Sequence, residues 1–354
     1  MAPPKLVRGT LYINRDRDYR TSEWGPYVKI GIVRNDRESQ DRVKEHQTGN
    51  PREVVTMREL QSPMVHHLET QLHHRFATMW LSGEWFEMDQ TFVDSTLIPE
   101  AEKIIGEQNA FLEDFTRRAE LKNRISSGEE RLPTVEEREV WKAAVRATEK
   151  HTLAKARKDQ WDFALRAAVG DSGGIPGVVK LVKKNKPDWF DQENFTEAHA
   201  DLAAQYVVKK PSIRGSLSLK GSQSLAKLDT DLHEAINEAK AAVPEFTLEQ
   251  IETPGLDRTS TVLEAHSSYV GSLAAVACAD WDRECFRSRL VRMLGTDEAI
   301  KDMISWKREE NEKRTFDKSR LKQEHEELYN EFTTQGAWTI SVEIHYHRAY
   351  PLGR

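Results

Sequence analysis

The sequence predicts two kinds of structure in one chain. Residues 1–98 read as a small α/β domain, a mixed or antiparallel sheet with flanking helices, and the rest of the chain reads as a mainly α-helical region with a C-terminal strand. Three observations predict this. Short apolar, β-branched runs alternate with turn signals up to about Met88. From Pro99 the pattern changes to long, charged, helix-rich segments. Near the end, Trp338 to Tyr346 alternates at period two, as a strand with one buried face does. The expected division is 1–98, a helical connector over 99–170, and a mainly helical region over 171–354 that binds DNA or a partner.

Leu11-Tyr12-Ile13 is an apolar run closed by the charged stretch Asn14 to Asp18. Trp24-Gly25-Pro26 signals a turn, and Tyr27 to Val33 is a buried strand, so a hairpin is the natural reading. Ser39 to His46 is a short polar helix stopped by Gly49-Asn50-Pro51, and Val54 to Leu60 is a third strand. Ser62-Pro63 opens a helix expected to run to about Trp80. Gly83 to Met88 turns into a short closing strand. The predicted order is β-β-α-β-α-β. Beyond it, helices are expected over 99–125, 133–169 and 223–243, and again from Val262 to about Phe332, where Lys307 to Glu331 is almost all charge. Pro211 to Ser224, rich in Ser, Gly and Lys, reads as a flexible strand or linker. No internal repeat is evident in the sequence.

The chain has 354 residues, 31% charged and 38% hydrophobic, with a net charge of −6. Global charge therefore does not announce a nucleic-acid partner, and any binding face must come from local basic clusters. Two cysteines, Cys278 and Cys285, give no disulfide framework, which fits a reducing compartment. The N-terminus lacks the apolar core of a signal peptide, and no run approaches a membrane span. A cytoplasmic location without membrane contact is expected.

Phosphodiester cleavage needs an activated water and positive charge for the developing phosphorane, and a divalent metal on a carboxylate helps the leaving oxygen. The N-terminal segment has a candidate for each part. Tyr12 and Lys29 lie on the two hairpin strands, so they can share a face, where an ammonium would favour the phenolate. Arg42 and His46, four apart, share a helical face, and the planar fork of Arg42 suits phosphate. Glu69 sits mid-helix amid Val65, Leu68 and Leu72, with His66 and His73 on its side.

These residues resemble the GIY-YIG nucleases. Leu11-Tyr12-Ile13 stands where that family has its first motif and Lys29-Ile30-Gly31 where it has its second, most like the phage and bacterial branch with a KIG motif. Arg42 to Pro51 is similar to that branch's Arg-led helix and QTGNP-like turn. Glu69 and His73 stand at its Glu–His spacing, and Gly83-Glu84-Trp85-Phe86 at its GEWF-type ending. The resemblance implies Tyr12 as general base or water-positioning group, Lys29 as its assistant, Arg42 as the phosphate clamp, His46 as a phosphate contact and Glu69 as the metal ligand. It implies Mg²⁺ or Mn²⁺ as cofactor and endonuclease chemistry on DNA, in restriction, mobile-element or phage-defence biology. The second motif lacks its tyrosine, for which Tyr27, two residues earlier, is a substitute.

Downstream, Lys142 to Lys158 forms one basic run. Lys180, Lys183, Lys184 and Lys186 form another, followed by Trp189 and Phe190, and then come Lys209, Lys210, Arg214 and Lys220. Interleaved cations and aromatics suit a nucleic-acid backbone and unstacked bases. One active site per chain cuts one strand, so duplex cleavage favours a homodimer. The rival expectation is a non-cleaving DNA-binding or assembly protein with a degenerate GIY-YIG domain. A third is a protein-interaction scaffold built on an acid-rich helix over Glu309 to Glu331.

Overall fold

The computed structural model describes residues 4–34, 47, 51–169, 172–220, 229–242 and 259–344. The N-terminal strands are β1 (Gly9–Arg17), β2 (Trp24–Arg34) and β3 (Glu53–Ser62). Helix α1 (Val65–Arg75) comes next, then β4 (Trp80–Ser82) and β5 (Trp85–Glu87). The strands form an antiparallel sheet in the order β3-β1-β2-β5-β4. Alternation decides its faces. Leu11, Ile13, Val28, Ile30 and Phe86 pack with Leu68 and Leu72 of α1, and with Leu97, Ala101 and Ile104 at the start of α2 (Ile98–Leu121). The two helices thus bury one sheet face.

Helix α1 is shorter than expected. It ends at Arg75, and a turn over Ala77–Met79 leads into β4. Gly83, with a φ of +57, permits the tight β4–β5 connection, closed by Trp80 Nε1 donating to the Gly83 carbonyl at 2.6 Å. The expected helix over 39–46 lies outside the described residues.

The remaining elements are β6 (Glu130–Arg131), α3 (Val135–Val169), β7 (Gly174–Ile175), β8 (Val179–Asn185), β9 (Trp189–Phe190), α4 (Gln192–Ala198) and α5 (Ala200–Gln205). Then come β10 (Val207–Leu219), α6 (Thr230–Ala241), α7 (Ser260–Leu294), β11 (Ala299–Ile300) and β12 (Ile304–Phe316). The last are α8 (Lys318–Glu324), α9 (Glu326–Glu331), β13 (Thr333–Thr334) and β14 (Trp338–Ile344). The C-terminal strand finds its partner in β8, and the linker-like stretch at 211 is part of the long strand β10.

The structure contains a duplication that the sequence hides. Residues 135–219 and 260–344 fold alike: a 35-residue helix, a two-residue strand, a long strand, two short helices and a closing strand. The copies interlock, because each closing strand pairs with the other copy's long strand. Val207 lies opposite Phe316 and Thr333 opposite Phe190. Asp191 N donates to Phe332 O, and Asp317 N to Tyr206 O, both at 2.8 Å. Asp191 and Asp317 each cap a short helix by accepting from the backbone three residues on. The long helices run antiparallel: Leu165 and Val169 pack with Val262 and Tyr269 at one end, and Leu290 and Leu294 with Val140 and Trp141 at the other.

The region beyond 171 has the expected helices, α7 above all, and adds two long antiparallel ribbons built by β8, β10, β12 and β14. The charged stretch from Lys307 to Phe316, expected as helix, is the strand β12, because pairing along all of β10 overrides local propensity. No acid-rich helix spans 309–331, only the short α8 and α9, so the scaffold reading loses its support. No helix among the described residues is long and apolar enough to cross a membrane.

Candidate functional site

The sheet face turned away from α1 and α2 is polar and buried. On β1 the residues between the core positions are Tyr12 and Asn14, both at 0% exposure, and on β2 they are Lys29 and Gly31. Tyr12 lies opposite Gly31 on one side and Glu59 on the other, and Asn14 lies opposite Lys29. A Cβ at position 31 would meet the Tyr12 hydroxyl, so glycine there is what lets the ring lie across β2. Asn14 Oδ1 accepts from Thr56 Oγ1 at 2.9 Å.

Lys29 is 7% exposed, and a buried ammonium needs a counter-charge. Glu84 supplies it at 3.1 Å from Nζ, and the ammonium also lies 5.9 Å from the Trp85 ring centroid. The Gly83 turn presents Glu84, to which sequence reasoning gave a place in the turn and in the GEWF-type ending but no role in the site. Its signal was the requirement that any buried Lys29 be paired.

Glu84 also lines a cleft of about 420 Å³ with Glu69, His73, Trp80 and Gly83. Glu69 is half-buried on α1, because Leu68 and Leu72 fix the helix face that enters the core. His73, one turn on, is within 3.0 Å of the Ile30 carbonyl through Nε2 and packs on Phe86 at 5.1 Å. That nitrogen must donate, since a carbonyl only accepts. Burial lowers the His73 pKa, opposed by the Ile30 bond and by Glu84. The ring therefore ties α1 to the edge of β2. The structure thus brings Glu69 and Glu84 to one cleft, places Lys29 on Glu84, and sets Tyr12 on the same sheet face as Lys29. Arg42 and His46 lie outside the described residues.

The downstream cations fall in two different ribbons. Lys209, Lys210 and Arg214 are exposed on β10, opposite Arg314, Lys313 and Glu309. Lys180, Lys183 and Lys184 belong to β8, opposite Glu343, Ile340 and Thr339, and Lys186 is exposed just beyond it. Cys285 is buried and Cys278 half-buried on α7, both free, and burial pushes the Cys285 thiol pKa up.

No curated protein and no solved structure matches the chain. The resemblance to GIY-YIG nucleases is corrected by the family comparison, in which no GIY-YIG family matches. The short motifs that carry it report a tyrosine packed over a glycine across a hairpin, which is too local a feature to fix a family. The family model that does match is the T5orf172 domain, over residues 9–99; such domains occur in phage and bacterial proteins and are associated with nuclease-like or DNA-binding roles.

Proposed function

We propose that the chain is a Mg²⁺- or Mn²⁺-dependent endonuclease that hydrolyses DNA phosphodiester bonds, with the duplicated module positioning the target. The observation that carries this reading is the cleft lined by Glu69 and Glu84, with the buried Lys29 paired to its rim. Glu69 supplies an oxygen donor of the kind Mg²⁺ takes, Glu84 being engaged by Lys29, and Mg²⁺ keeps most of its waters, so one carboxylate suffices. Among the described residues no three His, Cys, Asp or Glu side chains form a metal-binding group, so the fit is to a lightly held ion. When bound, that ion would supply charge for the phosphorane and the leaving oxygen. In this reading Glu69 holds the metal, and Lys29, fixed by Glu84, orients the attacking water with Tyr12. Arg42 clamps the phosphate and His46 touches it. Cations on the two ribbons hold the DNA backbone.

The test is nicking of supercoiled plasmid with Mg²⁺, with EDTA as control. Glu69→Gln is expected to abolish cleavage while DNA affinity stays within a few-fold. A mutant that still nicks at the wild-type rate would overturn the assignment. One observation favours a second reading, DNA binding without cleavage: Tyr12 is fully buried, as a packing residue would be. On that reading no Mg²⁺-dependent nicking occurs and binding persists.

A further inference from the structure

A second cavity lies where α1 meets α7, adjoining the Glu69–Glu84 cleft at Thr70 and His74 but lined by neither glutamate. It measures about 270 Å³ and is lined chiefly by His67, Gln71, Leu273, Val276, Ala277 and Trp281. A water takes roughly 30 Å³ of liquid, so the space exceeds a hydration site several-fold. The two carboxylates at its border are already engaged, Asp280 by Arg283 and Glu284 by Arg118 and Arg283.

Its polar atoms are specific. Gln71, 4% exposed, donates from Nε2 to the Ala277 carbonyl at 2.9 Å, which fixes the amide's orientation. Its Oε1 is buried and has no partner among the described residues. The tautomer of His67 is set by Gln108. That amide donates from Nε2 to the Met64 carbonyl at 3.3 Å, and its Oε1 accepts from Ser62 at 2.7 Å. The same Nε2, 3.0 Å from His67 Nδ1, must donate to it. Burial pushes the His67 pKa down to about 4, so the ring is neutral near pH 7 and carries its proton on Nε2. That N–H is also buried, with no partner among the described residues. A buried donor and a buried acceptor thus stand one helical turn apart on one face of α1, each costly to leave unpaired.

The walls combine the apolar Leu273, Val276 and Ala277 and the indole of Trp281 with polar side chains, Lys5, Thr70 and His74 among them. His67 packs on Trp281 at 4.2 Å with the rings tilted, Trp281 stacks on Phe115 at 5.5 Å, and its indole N–H is held by Glu107 at 3.0 Å. We infer that this cavity binds a neutral, planar lactam heterocycle of the uracil or thymine type, its carbonyl accepting from His67 and its ring N–H donating to Gln71. The inference stands apart from phosphodiester cleavage, since it uses none of the residues assigned to it. The ring can arrive as a free nucleoside or as a base turned out of a DNA strand.

The test is calorimetric titration of the full chain with uridine, in EDTA so that cleavage plays no part. Saturable binding is expected in the micromolar to millimolar range, weakened about tenfold or more by Gln71→Leu and by His67→Phe. Each variant's melting temperature is measured alongside, and Val276→Phe, which fills the cavity without touching the polar pair, is expected to block binding as well. N,N-dimethyluracil, which lacks the ring N–H, is expected not to bind. Competition by oligothymidylate identifies an extruded base as the source, and its absence identifies the free nucleoside. Either result supports the site. No saturable binding of uridine, equal binding of the dimethylated ring, or binding unchanged in all three variants would overturn it. Loss of nicking in Glu69→Gln leaves these results untouched, so the two readings fail separately.

Discussion

The two copies of the duplicated module share their cores and differ in their surfaces. Leu165, Val169, Ile175, Val178 and Val179 of the first copy stand where Leu290, Leu294, Ile300, Met303 and Ile304 stand in the second, and all ten are buried. On the long strands the charges differ. Carrying the same register on from Val179 and Ile304, Lys183 corresponds to Arg308, Lys184 to Glu309 and Asn185 to Glu310, so the first strand carries lysines and no acid where the second is mixed. The fold therefore requires the apolar positions and tolerates either sign of charge outside them. What the second copy adds is a docking surface. Helix α1 of the N-terminal domain packs on α7 through Gln71 and His67, while α6 packs on α3.

The largest effects are expected where the copies agree. Leu165→Ala and Leu290→Ala each delete a fully buried side chain and should each cost roughly 2–5 kcal/mol, measured by urea denaturation. If one costs little while the other unfolds the protein, the copies are not equivalent in energy, whatever their topology.

The next effect separates them. Burial, with Arg75 adding to it, lowers the His67 pKa from 6.5 to about 4. His66, His73 and His74 on the same helix are also lowered, each chiefly by burial. Between pH 6.5 and about 4 the unfolded chain binds more protons than the folded one, so stability falls as the pH drops through that window. His67 alone accounts for about 3 kcal/mol when fully expressed. Denaturation at several pH values, read by hydrogen exchange, should show α1 and the α7 surface beneath it loosening before α3. A pH-independent α1 would refute this.

How much of this was legible depended on range. The hairpin over 11–33, the strand at 54–60 and the helices over 98–121 and 135–169 follow from local periodicity, and the structure has them nearly as read. Glu69 was legible as an acid on an otherwise apolar helix face. Glu84 was not, because its role is set by a lysine on another strand. The duplication was hidden because its signature is a sparse set of apolar positions and two capping aspartates, Asp191 and Asp317, among residues free to diverge. β12 was misread because charge density says nothing about period when both ribbon faces meet solvent.

A smaller effect tests the caps. Asp191→Ala and Asp317→Ala each remove one side-chain acceptor at the start of a short helix. Each should cost about 1 kcal/mol, and the two costs should match within a few tenths. Thermal melts of the single and double variants measure this. Strong non-additivity would indicate that the interlocked strands transmit the loss from one copy to the other.

The smallest effect on folding bears most directly on DNA. Exposed strand charges contribute little to stability, so neutralising them should stay within about 0.5 kcal/mol. Their effect on a polyanion depends on what opposes them. Lys209 lies 3.7 Å from Glu312 and Arg214 lies opposite Glu309, so the β10 cations are partly cancelled on their own ribbon. The first copy's long strand β8, by contrast, carries Lys180, Lys183 and Lys184 and no acid. Changing Lys183, Lys184 and Lys186 to Gln should therefore flatten the salt dependence of DNA binding by roughly one unit per lost phosphate contact. The same change at Lys209, Lys210 and Arg214 should do less. Changing Glu309, Glu310 and Glu312 to Gln should tighten binding, because it frees the β10 cations from their neighbours. Titrations from about 50 to 200 mM salt read all three sets. Equal slopes in all of them would mean that the ribbons do not touch DNA, and that the charge difference between the copies serves something else.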